Sequence, residues 1–130
     1  MMTLTRTEHL NDYLNQTRAL RFKAGRHDCG LFVAGWVQIV TGVDHGEQWR
    51  GQYTSLRKGY EMLKASGFET HVDLAASVLD EVHPAFAQIG DLASVEEHAM
   101  GIFAGDRIFV LRRNGLASVS RLLAQRGFTV

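Results

Sequence analysis

Apolar residues recur with two different periods along the chain, and the change falls at the single proline, Pro84. Before it the spacing is helical. Leu10, Tyr13, Leu14 and Thr17 lie on one face of a helix, and Thr5 with Glu8 fits a capping box that opens it. Gly25-Arg26-His27-Asp28 breaks the pattern. A second helix is predicted from about residue 29 to 41. Phe32, Val33, Trp36, Val37 and Val40 make one stripe, and Leu31 and Ile39 widen it into an almost fully buried helix. Gly42 suits the left-handed residue that closes it. Residues 43–53 read as loop. Thr54 or Ser55 can cap a third helix carrying Leu56, Tyr60 and Leu63, with Gly67 ending it. A fourth is predicted over 72–82, burying Leu74, Ala75, Val78 and Leu79.

Beyond Pro84 short apolar runs cover 90–95, 99–103, 107–111 and 116–119, separated by Glu96-Glu97-His98, Ala104-Gly105-Asp106 and Arg112-Arg113-Asn114-Gly115. Gly-Asp and Asn-Gly between apolar runs signal hairpins, because these residues accept positive φ cheaply. Helices first and an antiparallel meander second predict an α+β fold, with three or four helices packed on one face of a small sheet. The 130 residues suit one domain, 1–130, with one core.

Charge adds detail. Lys+Arg 14 balance Asp+Glu 14, which argues against a general nucleic-acid binder. No apolar run approaches the roughly 18 residues of a bilayer span, and the N-terminal residues lack the apolar centre of a secretory leader. Neutrality hides a segregation. Eight acids (Glu69, Asp73, Asp80, Glu81, Asp91, Glu96, Glu97 and Asp106) and no Lys or Arg lie between residues 65 and 106, whereas 107–130 carry five arginines and no acid. Two readings are open: the segments attract each other within the domain, or the polarised surface docks on a charged neighbour.

Cys29 is the one cysteine, which excludes an intrachain disulfide and suits synthesis in a reducing cytoplasm. It falls at the first turn of a buried helix, where free backbone N–H groups and the helix dipole favour a thiolate. That is the requirement for a cysteine nucleophile; the plainer reading is a small buried hydrophobe. Adjacent His27, Asp28 and Cys29 cannot converge on one ion by themselves, and no spacing resembles a zinc module, so neither metal nor cofactor is expected. His9, His45, His71 and His83 read as surface or loop residues. Asp91 reads as fixing a strand entry. Trp49 and Tyr53 either line a cleft above Cys29 with Asp28 and Arg50, or anchor the long loop.

Asp28-Cys29-Gly30 opening an apolar helix, then Gly90-Asp91-Leu92 and Gly101-Ile102, resembles the NlpC-type papain-like cysteine peptidases. The resemblance implies a nucleophilic Cys29 on a helix packed against a small antiparallel sheet that supplies a His base and an orienting polar residue. With Thr41-Gly42-Val43-Asp44 and Trp49-Arg50-Gly51-Gln52-Tyr53 it resembles a compact branch among phage tail proteins. This implies a virion tail tip made in a bacterial host, with hub or other tail-tip proteins as partners, or peptidoglycan if active. Relatives of that kind place the His two residues before Gly-Ile, a slot held here by Ala99. His98 comes one residue earlier, and strand alternation is expected to turn it away from the thiol. The following strand, 107–111, offers mostly apolar side chains to orient a base. Two functions remain open: a structural tail-tip protein on a peptidase-like frame, or a cysteine endopeptidase cutting peptidoglycan crosslinks with Cys29 and His98.

Overall fold

The computed structural model describes residues 4–96 and 98–130. Its elements are α1 (Arg6–Arg18), α2 (Cys29–Thr41), α3 (Leu56–Ala65), α4 (His71–Val78), β1 (Glu81–Val82), β2 (Leu92–Val95), β3 (Ala99–Ala104), β4 (Arg107–Arg112), β5 (Gly115–Ser120) and β6 (Arg126–Phe128). The strands form one antiparallel sheet in the order β1-β6-β2-β3-β4-β5. The fold is α+β, with helices preceding the sheet and packed on it.

Local chemistry sets most helix ends. Thr5 and Glu8 form the capping box of α1, Asp28 caps α2, and Gly42 closes α2 at φ 80°. Ser55, not Thr54, caps α3. The fourth helix departs from the periodic reading. A second capping box, Thr70 with Asp73, starts it at His71, and extended backbone at Leu79 ends it. Glu81 and Val82 then pair with Phe128 and Gly127 in the sheet. Helix α2 is also less enclosed than its composition predicts: Ile39 and Val40 are exposed.

Two apolar layers fix the phase of the strands. Leu10 and Leu14 of α1, Phe32 and Trp36 of α2, and Val72 and Ala75 of α4 pack with Leu92, Met100, Ile102, Leu111 and Phe128. On the other face Ala93, Val95, Phe103, Ile108 and Val110 form a second cluster, with Ala99 against it. Two 3₁₀ turns, Pro84–Phe86 and Arg121–Leu123, flank that outer face. Arg121 joins them by donating to the carbonyls of Pro84 at 2.8 Å and Ala87 at 2.6 Å, with its guanidinium over the Phe103 ring. Gly101 is required by close strand approach: a Cβ there would lie 2.6 Å from both Ile108 Cγ2 and the Phe109 carbonyl oxygen.

Two ion pairs link the acidic and basic segments. Arg126 meets Glu81 and Arg112 meets Glu96, each at 2.7 Å. At the entry to β2 the Asp91 carboxylate accepts from Arg6 Nη2 and the Val130 amide at 3.1 Å and from the Gln88 amide at 2.8 Å. Gly90 beside it, at φ 91°, presents its carbonyl to the Trp36 indole at 2.7 Å. Asp91 is thus the hub of a corner that ties α1, α2 and the C-terminal residues to the sheet.

Candidate functional site

Asp28 organises the start of α2. Its Oδ1 accepts from the Leu31 amide at 3.0 Å, and its Oδ2 accepts from the Gly25 amide at 2.9 Å and the Tyr53 hydroxyl at 2.6 Å. Gly25, at φ 81°, must be glycine here, because a Cβ would collide with the Tyr53 carbonyl. Its own carbonyl accepts from Gly51 at 2.7 Å. These bonds lash the 43–55 loop to the turn preceding Cys29. The carboxylate is buried, at 2 % exposure, and among the described residues forms no ion pair.

The Cys29 thiol is pushed up to about 11, first by burial and second by the Asp28 charge. The amides of Gly30 and of Cys29 itself pull the other way. The helix start therefore does stabilise a thiolate, but an uncompensated neighbouring carboxylate and a dry wall outweigh it. This reverses the expectation drawn from the helix terminus alone. Among the described residues, no side chain hydrogen-bonds to the sulfur.

An apolar cleft of about 100 Å³ opens over the thiol, walled by α2, α3, α4 and the 43–55 loop. Asp28, Cys29, Trp49 and Tyr53 all line it, as do Tyr60 and His71. Trp49 is simultaneously an anchor of the loop, buried with Leu31 and Leu63. Arg50, expected on the wall, turns away: it donates to Asp44 at 2.6 Å and 3.3 Å, and Asp44 also accepts from the Gly46 amide. Arg50 beside it holds the Asp44 carboxyl below the usual range.

His71 is the residue that sequence reasoning placed wrongly. It is the first residue of α4, not a solvated loop residue. Its Nε2 is buried without a hydrogen-bond partner, and burial pushes its imidazole down to about 4 against the opposing pull of Asp28. The Thr70-x-x-Asp73 spacing is the signal that could have located it.

His98 is an exposed residue of the turn before β3 and is not on the cleft wall. The strand phase, however, is the opposite of that expected. Met100 and Ile102 face the helices and Ala99 faces the outer layer, so it is the even positions that continue toward the helix side. The slot counted from Gly101-Ile102 faces away from the thiol, and the charge of His98 acts on His71. On β4 the helix-facing positions next to this edge are Phe109 and Leu111, neither of which offers a hydrogen-bonding side chain.

Among the described residues, no three His, Cys, Asp or Glu side chains are grouped to hold a metal ion, and no helix is long and apolar enough to cross a membrane. Over residues 2–130 the chain matches the DUF6950 family, described as a domain of unknown function, and it belongs to that family. No curated protein matches it.

Proposed function

We propose that this DUF6950 member is a structural component of a long-tailed phage or gene-transfer-agent tail tip. On this reading it keeps an NlpC-type papain-like frame and works by docking on hub or tail-fibre proteins. One observation carries the choice against catalysis. A thiolate–imidazolium pair needs a proton to pass from sulfur to nitrogen, and here a thiol at about 11 and an imidazole at about 4 line the same cleft. Asp28, whose charge acts on both, is committed to Gly25, Leu31 and Tyr53.

A second reading has its own support. His71 brings an unpartnered imidazole nitrogen to the cleft and His98 stands near it, which favours a cysteine endopeptidase acting on peptidoglycan crosslinks. Alkylation of Cys29 by iodoacetamide across pH 5–10 separates the two. The structural reading expects a rate that climbs only above the ordinary thiol range of about 8.5. A reactive plateau below pH 7, or clearing of purified peptidoglycan that is lost in Cys29→Ala, would overturn it.

A further inference from the structure

The two 3₁₀ turns that flank the outer face of the sheet, Pro84–Phe86 and Arg121–Leu123, repeat one conformation. His83 and Ser120 enter them at φ −59°, ψ 136° and φ −61°, ψ 139°, and each side chain accepts from the amide two residues on, at 3.1 Å and 3.2 Å. Ala87 and Ala124 leave them in extended backbone, and both belong to the outer apolar layer. Arg121 locks the pair. Its Nη2 donates to the carbonyls of Pro84 and Ala87, which bracket Phe86, and its Nη1 donates to the Gly105 carbonyl at 3.2 Å. The turns leave apolar side chains in solvent: Leu122 is 92 % exposed, Phe86 76 % and Leu123 54 %. The first two are the most exposed large apolar side chains among the described residues.

We infer that this corner is a self-association face, on which a second copy of the chain docks about a two-fold axis. Single apolar residues scattered over a surface need no partner, whereas a cluster of them marks one. At roughly 150–200 Å² for each fully exposed side chain of this size, the three together expose about 400 Å². A stable dimer takes about 800 Å² from each copy, with an apolar centre and a polar rim. The cluster therefore supplies the centre, and the exposed His83, Gln88 and Gln125 beside it are rim groups. Charge selects the occupant. Residues 83–88 and 120–125 hold no Asp, Glu or Lys and one Arg, Arg121, whose guanidinium lies over the Phe103 ring. The face thus carries no free charge with which to attract an ionic partner or repel its own copy, and a two-fold contact sets apolar against apolar. Turns already fixed by Arg121 also lower the ordering cost of association. The face uses none of the residues that line the cleft over Cys29, and it stands whether or not the chain serves in a virion.

Sedimentation equilibrium of the full chain over about 1–500 µM is the test. Twice the monomer mass is expected at the upper end of that range. Leu122→Ser and Phe86→Ser should each weaken the dimer about tenfold or more, while Ile39→Ser, at an exposed apolar site on α2, should leave it unchanged. Both turn variants should keep the wild-type urea midpoint at low concentration, because these side chains already lie in solvent. A monomer at every concentration would overturn the face, and so would a dimer that is equally strong in Leu122→Ser and Phe86→Ser. Flotation of a monomeric chain with phosphatidylcholine vesicles, lost in Leu122→Ser, would overturn it in favour of a lipid surface. Because the mass needs neither catalysis nor a tail partner, failure here is distinct from failure of the proposed function.

Discussion

Two aspartates are buried in this molecule, and they have been put to different uses. Asp91, 5 % exposed, accepts from two backbone amides and from Arg6; Asp28, 2 % exposed, accepts from two backbone amides and from a tyrosine hydroxyl. Both are fully hydrogen-bonded, so both hold local backbone in place. Among the described residues, only Asp91 of the two has a cation. Its charge is cancelled where it sits, and the corner it holds is purely architectural. At Asp28 a phenol satisfies geometry but not charge, so the field adds to the burial that chiefly pushes up the neighbouring thiol and both nearby tyrosines. The presence of one guanidinium separates an anchor from a site.

The comparison breaks most visibly under truncation. Asp28→Ala strands the Gly25 and Leu31 amides and the Tyr53 hydroxyl, and should cost about 3 kcal/mol or more in urea unfolding. Asp91→Ala strands two amides and leaves Arg6, whose side chain is 35 % exposed, to be rehydrated; about 2 kcal/mol is expected. A larger loss at Asp91 would mean that the cation contributes more than the missing field argument allows.

Next comes pH. The folded-state value of His71 lies at about 4, below the ordinary 6.5, because burial disfavours its charged form. The unfolded chain therefore takes up a proton first as pH falls, and stability present above about 6.5 is lost on the way down to about 4. Over that window the loss should reach about 3 kcal/mol. His27, also lowered by burial, acts in the same direction. His71→Asn should flatten most of the slope, measured by unfolding midpoints at stepped pH.

The legible part of the fold is the part whose chemistry is local. Asp28 and Gly42 bracket α2, and Thr5 with Glu8 opens α1, because caps act over three or four residues. The β1 and β6 strands were invisible because two or three residues show no period. The phase of β3 follows from the strand's own residues and not from a slot counted on the family pattern. Small Ala99 and Gly101 alternate with bulky Met100 and Ile102, and the bulky pair seeks the helix layer. At the site, Asp28, Cys29, Trp49 and Tyr53 were readable as a group, while His71 was hidden by a helix start that went unrecognised. The thiol's direction of shift was unreadable for a different reason: it depends on a balance between helix N–H groups and a carboxylate whose missing counter-ion is a tertiary fact.

That balance is itself testable. Asp28→Asn removes the charge and keeps much of the shape, so the thiol should fall back toward its ordinary range, and alkylation at pH 8 should rise about tenfold. Asp91→Asn should leave the rate unmoved. An unchanged rate in Asp28→Asn would assign the whole shift to burial.

The finest discrimination is between the two partners that distinguish the aspartates. Tyr53→Phe deletes one donor to Asp28 but leaves the ring on the cleft wall and the Gly25 and Leu31 amides in place. It should cost about 1 kcal/mol and leave the Cys29 thiol high, since the carboxylate keeps its charge. Arg6→Met removes the cation paired with Asp91, together with donors to the Ile89 and Val130 carbonyls. It should cost about the same or slightly more, and that cost should shrink as salt screens the exposed part of the pair, whereas the Tyr53 cost should not respond to salt. Matching salt dependence in both variants would mean that phenol and guanidinium play one role, and the distinction between anchor and site would have to rest on burial alone.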